Sequence, residues 1–190
     1  MNMQCNNLKI FPVLIQCYNN LIKDNECLDI VKKCKNLNFK KHNAFSDNAV
    51  SNHSTDSNLL NNFSKLREII MQKVKNYENE LGLNNSKLDN SWVNFQYKNS
   101  ILKKHTHPSC QISGVLYLKT DEKSSKIYFY NPNPFISFLN TKEDNFNNFQ
   151  YISFSPKIGD LFLFPSWLSH GSHEDKNLSE ERVALSFNTR

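Results

Sequence analysis

Residues 91–119 read SWVNFQYKNSILKKHTHPSCQISGVLYLK. Three runs within it, "SWVNFQY", "ILKKHTH" and "ISGVLYLK", are rich in β-branched and aromatic residues and are parted by turn-forming residues, so the stretch predicts successive short strands. The middle run carries His105 and His107. In a strand, side chains at i and i+2 share a face, with Cβ atoms roughly 7 Å apart. Two imidazoles so placed can hold one metal ion if a third ligand arrives from elsewhere in the fold.

Working outward, the same texture continues downstream in "KIYFYN", "YISFS", "DLFLFPS" and "RVALSFN". Many short strands in sequence imply a sandwich or barrel. Between them, "NPNPFISFLNTKEDNFNNFQ" (131–150) holds two prolines and four phenylalanines and is long for a connection in a compact domain, which suits a surface loop held by its own rings or a lid over a site. Upstream the period changes to that of a helix. Leu59, Phe63, Leu66, Ile70, Val74, Tyr77 and Leu81 recur every three or four residues, predicting a helix over 57–81 with Asp56 or Ser57 as N-cap and Gly82 as stop. A shorter helix is expected over 25–34, capped by Asp24 and burying Cys27, Leu28, Val31 and Cys34. Before it, "LKIFPVLIQCY" (8–18) reads as an entry strand that Pro12 confines to a sheet edge.

The chain of 190 residues is expected to form one domain, residues 1–90 supplying an entry strand and supporting helices and residues 91–190 the β core. A hydrophobic fraction of 38% without an apolar run near the roughly 18 residues of a bilayer span argues for a folded, soluble protein. The start lacks the marks of a secretory signal, so a cytoplasmic location is expected. Five cysteines with no C-x-x-C pair point, for most of them, to buried thiols rather than to disulfides or a zinc knuckle. The net charge of +5 is spread along the chain, so solvated helix faces explain it better than a nucleic-acid footprint, and no membrane surface is implied.

"WLSHGSHED" (167–175) offers His170 just past a strand end as the third ligand, with His173 three residues on as a surface or supporting residue. In "RVALSFN", alternation puts Val183, Leu185 and Phe187 on a core face and Arg182, Ala184 and Ser186 on the other. An arginine buried without an anion is costly, and its small neighbours leave room for a carboxylate that the guanidinium can grip with two hydrogen bonds.

Residues 91–119 together with "GDLFLFPSWLSHGSHEDKNLSEERVALSFN" (159–188) resemble the 2-oxoglutarate and Fe(II)-dependent oxygenase family of marine bacteria and their phages, within the prolyl-hydroxylase-like superfamily. The resemblance implies an α+β protein: a double-stranded β-helix, or jelly roll, with the N-terminal helices packed on one sheet. It implies a dioxygenase that uses Fe(II), 2-oxoglutarate and O2 to hydroxylate a substrate, with succinate and CO2 as coproducts. Carried over, the metal pattern falls on His105, His107 and His170, and the cosubstrate-anchoring arginine on Arg182, with Ser186 beside it. Asn94 and Tyr117 are further cosubstrate contacts by the same resemblance. The prime substrate, a peptide or a small molecule, is not named by it.

One position departs from the superfamily pattern of two histidines and a carboxylate: His107 stands where the carboxylate would be. Asp160, Glu174 and Asp175 are nearby carboxylates in sequence, Asp160 more simply a turn residue. Cys110, three residues past His107, offers a zinc site that would leave Arg182 unexplained. Two other functions suit a jelly roll: a cupin-like metal-dependent isomerase, against which Gln111 stands in place of a glutamate ligand, and a non-catalytic binding protein.

Overall fold

The computed structural model describes residues 11–46, 48–53, 55–173 and 175–190. The elements are β1 Gln16–Tyr18, α1 Asp24–Cys34, β2 Ala49–Ser51, α2 Ser64–Leu81, β3 Leu88–Tyr97, β4 Ile112–Lys119, β5 Ile127–Tyr130, β6 Tyr151–Phe154, β7 Leu161–Pro165, β8 His170–Gly171 and β9 Glu181–Thr189. They make a six-stranded sheet in the order β1-β7-β4-β9-β3-β2 and a three-stranded sheet in the order β6-β5-β8. All of these pairings are antiparallel.

The large sheet is buried on both faces, because apolar residues occupy both parities of its strands. Val93, Leu116, Leu163, Leu185 and Phe187 cluster with Cys27, Val31, Ile70 and Val74 of the two helices. On the opposite parity, Val115, Tyr117, Phe162, Phe164 and Ala184 cluster with Ile127 and Phe129 of the small sheet. The polar residues of that second parity, Asn94, Gln96, Arg182 and Ser186, sit between the sheets and line a cavity. A step of one residue along a strand thus separates the helix-packed face from the face that carries the cavity.

Each expected helix forms, with shifted limits. Helix α1 starts at Asp24 with Lys23 at its N-cap. Its buried face is Cys27, Ile30, Val31 and Cys34, while Leu28, 41% exposed, lies off that stripe. Helix α2 starts at Ser64 rather than 57, and the preceding turn is a 3-10 segment over Leu59–Asn62. Leu59 and Leu60 are both fully buried in that segment. The chain also turns to let the Leu60 N–H donate to Ser91 Oγ on β3 at 2.8 Å. Gly82 ends α2 in the left-handed conformation as expected, φ +65°.

The run 101–107 is not a regular strand. It touches its neighbours through isolated bridges, Leu102 with Phe45 and His105 with His170. Strands β2 and β8, two or three residues each, had no sequence signal long enough to read. Of the entry run, residues 8–10 lie outside the described residues, and β1 forms past Pro12 at the edge beside β7. Residues 131–150 carry a 3-10 turn over Pro134–Phe138, with Phe135 against Phe138 and Phe146 against Phe149 at ring separations of 6.0 and 5.5 Å. Cys27 and Cys34 are buried free thiols, whereas Cys17 is exposed and Cys110 half-buried; Cys5 lies outside the described residues. Among the described residues no helix is long and apolar enough to cross a membrane.

Candidate active site

His105, His107 and His170 converge: one ring nitrogen of each lies within 4.8 Å of the others. Two different elements bring them together. His170 sits in β8, and the His105 and His170 backbones exchange two hydrogen bonds of 2.9 and 3.0 Å, which sets the 101–107 run against the small sheet. The His107 N–H donates to the Ser166 carbonyl at 2.9 Å. Gly171 makes the approach possible, since a Cβ there would stand 2.8 Å from the Leu102 carbonyl oxygen.

Hydrogen bonds determine which nitrogens are free. His105 Nδ1 lies 2.8 Å from the Lys103 carbonyl and His170 Nδ1 2.9 Å from that of Leu168. A carbonyl only accepts, so both Nδ1 atoms carry the proton and both Nε2 atoms present lone pairs. Burial pushes the His170 pKa well below its ordinary value and lowers that of His105. His107 is pushed down to about 3, by burial first and then by the imidazoles of His105, His53 and His42. Three neutral imidazoles at one point suit a divalent metal, which requires unprotonated nitrogen donors. Among the described residues this is the one group of three or more such side chains close enough to share an ion.

The cavity, about 240 Å3, runs from the histidines to Arg182. Arg182 is 4% exposed and takes part in none of the ion pairs formed among the described residues. Its guanidinium lies 4.8 Å from the Tyr117 ring centre and donates through Nη1 to Gln96 Oε1, while its Nε has no partner among the described residues. A buried, unneutralised guanidinium with a free N–H fits an anionic carboxylate. Asn94 reaches Ser186 Oγ through Nδ2 at 3.3 Å. Asn94, Tyr117, Arg182 and Ser186 therefore share one cavity with the three histidines.

The remaining sequence candidates lie elsewhere or are engaged. Asp160 is a turn residue, accepting from the Lys157 N–H at 2.9 Å and from Asn19 Nδ2 at 3.0 Å. Asp175 accepts from the Lys126 N–H at 2.8 Å, and Glu174 lies outside the described residues. Cys110 is not among the grouped metal-ligand side chains. His173 stacks among Tyr128, Tyr130 and Tyr151. Gln96, His42 and His53 were not singled out from sequence, yet five of the six histidines line this cavity. Gln96 was readable, being two residues past Asn94 on the same strand face; His42 and His53 lie in irregular chain that carries no periodic signal.

Residues 90–188 match the model of a family described as "Putative 2OG-Fe(II) oxygenase". That span is just over half of the chain, and the chain belongs to this family. It is a 2-oxoglutarate/Fe(II)-dependent oxygenase, and its cofactors are Fe(II) and 2-oxoglutarate. Solved structures share the fold at low identity. HygX from Streptomyces hygroscopicus, with nickel and 2-oxoglutarate bound, is 10% identical over 93% of this chain and 82% of its own, with a TM-score of 0.64. A 2OG-Fe(II) oxygenase family oxidoreductase from Burkholderia pseudomallei is 12% identical over 92% of this chain and 84% of its own, at 0.65. A prolyl hydroxylase from Trichoplax adhaerens, in complex with a hypoxia inducible factor peptide, is 11% identical over 92% of this chain and 82% of its own, at 0.65. No curated protein matches the chain in sequence.

Proposed function

We propose that the protein is a dioxygenase that hydroxylates a C–H bond of its prime substrate, with His105, His107 and His170 as the metal ligands and Arg182 as the anchor of the cosubstrate. The observation that carries this is a single cavity with three convergent neutral imidazoles at one end and an unneutralised buried guanidinium at the other. When bound, Fe(II) and 2-oxoglutarate supply the oxidising chemistry, by which one atom of O2 goes into succinate as CO2 is released and the other into the hydroxyl group of the product. The chain's own part is to bind, orient and exclude water. The carbonyls of Lys103 and Leu168 hold two imidazoles with their lone pairs inward. Arg182 takes the far carboxylate, with Tyr117 beneath the guanidinium and Ser186 and Asn94 alongside.

The two sheets around the cavity support a jelly-roll reading with the N-terminal helices on the outer face of the larger one, in a single domain. His42 and His53 favour a place for the prime substrate at the mouth. The Ala44 N–H donates to His42 Nδ1 at 3.1 Å, so a neutral His42 carries its proton on Nε2 and presents a donor rather than a metal-ligating lone pair. A cavity of about 240 Å3 shared with the cosubstrate leaves room for a side-chain-sized group, from a peptide or a small molecule. The buried free thiols of Cys27 and Cys34 suit the cytoplasm. The test is conversion of 2-oxoglutarate to succinate by protein loaded with Fe(II) in air. Succinate formation that is lost in His170→Ala supports the reading; none from wild type holding both Fe(II) and 2-oxoglutarate contradicts it.

A further inference from the structure

The six buried side-chain polar atoms that lack a partner among the described residues are not scattered at random: Asn94 Oδ1, Gln96 Nε2 and Arg182 Nε all belong to this cavity. Gln96 is the residue the family resemblance does not account for. It is 1% exposed, lies directly across the β3–β9 ladder from Arg182, and accepts from Arg182 Nη1. That contact settles which way the amide faces. A guanidinium only donates, so the oxygen must be the atom toward Arg182 and the NH2 the atom left over. A buried amide N–H with no acceptor is unfavourable by an amount comparable to a lost hydrogen bond, and it persists where a ligand supplies the acceptor.

We infer that Gln96 is a second carboxylate-binding residue, whose Nε2–H joins the guanidinium of Arg182 in holding the far carboxylate of 2-oxoglutarate while Oε1 fixes that guanidinium in place. This rests on the cosubstrate reading above. It adds a neutral donor to the charged one, so that both oxygens of the carboxylate meet an N–H and the amide locks the arginine in the ligand-free protein. Gln96→Glu would place a carboxylate of the chain's own beside Arg182, filling the anion site from within.

The experiment is anaerobic calorimetry on Mn(II)-loaded protein with two probes: 2-oxoglutarate, and 2-oxopentanoate, the same 2-oxo acid without the far carboxylate. Wild type should prefer 2-oxoglutarate. Gln96→Ala should weaken 2-oxoglutarate about tenfold or more, the loss of one hydrogen bond to a charged group, and leave 2-oxopentanoate and Mn(II) binding unchanged. Gln96→Glu should erase the preference altogether, with the melting temperature of the ligand-free protein held or raised. A wild-type preference kept in full by Gln96→Ala, or an equal loss for both acids, overturns the role of Gln96 alone. Equal affinity of wild type for the two acids overturns the cosubstrate reading and this role with it.

Discussion

Arg182 is the side chain whose environment is hardest to explain without a ligand, being a buried cation with Gln96, Tyr117 and small residues around it. Arg182→Ala is expected to leave the cosubstrate's carboxylate unpaired, at a cost on the order of 3 kcal/mol, or about a hundredfold in 2-oxoglutarate affinity by anaerobic titration. Arg182→Lys should recover only part of this, because an ammonium cannot make the fork, and metal binding should be unchanged in both. The histidines make a prediction about pH. An imidazole in the unfolded chain titrates near 6.5, whereas His107 in the fold does so at about 3, and His42, His53, His105 and His170 are also lowered. Between those values the unfolded chain binds more protons than the native one, so native stability is fully present above about pH 6.5 and falls as the pH drops through that window. Melting of the metal-free protein between pH 7.5 and 5 should show this fall, and His107→Ala should make it shallower. His107→Asp should retain the metal, the carboxylate replacing a nitrogen donor with a harder oxygen; complete loss of metal with the fold intact would mean that the site requires three nitrogens. These residues were legible because their spacing is short: H-x-H sits within one segment, and strand alternation assigned Arg182, Ala184 and Ser186 to one face. Gln96 was missed although the same alternation places it beside Asn94, because a glutamine carries no charge that demands a partner.

Element boundaries follow from contacts that local sequence does not contain. The period of α2 was legible from Leu66 to Leu81, but its start was not, since burial of both Leu59 and Leu60 and the Leu60–Ser91 hydrogen bond are long-range facts. The 101–107 segment shows the same limit: it reads as a strand, yet its place is set by bridges to Phe45 and His170. Gly171 is the hinge of that arrangement. A Cβ at this position would meet the carbonyl oxygens of Leu102 and Lys103 at 2.8 and 3.0 Å, so Gly171→Ala should push the segment off β8 and carry His105 away from His170. Metal affinity is expected to fall at least tenfold while the far-ultraviolet circular dichroism stays native. Undiminished metal binding by this variant would show that the 101–107 segment does not depend on close contact with β8.

Across the whole molecule, the family segment 90–188 contains the histidine triad, Arg182, Tyr117, Asn94 and Ser186, while the wall of the cavity that holds His42, Phe45 and His53 comes from chain outside it. That wall is tied to the core by Asn52, whose buried Oδ1 accepts from the Val93 N–H at 2.7 Å. The division explains why the chemistry was legible and the substrate was not: His105 and His107 stand two residues apart and Arg182 lies on the regular strand β9, whereas the wall with His42 and His53 is built by irregular chain. Everything then turns on whether one cavity takes the metal and the dicarboxylate together. Anaerobic titration with Fe(II) and then 2-oxoglutarate tests this most directly. The expected result is one Fe(II) per chain, followed by one 2-oxoglutarate whose binding depends on the metal and brings up a visible absorption band absent with either alone. Stoichiometric Fe(II) without any binding of 2-oxoglutarate, or 2-oxoglutarate binding that ignores Fe(II) and survives Arg182→Ala, would contradict it.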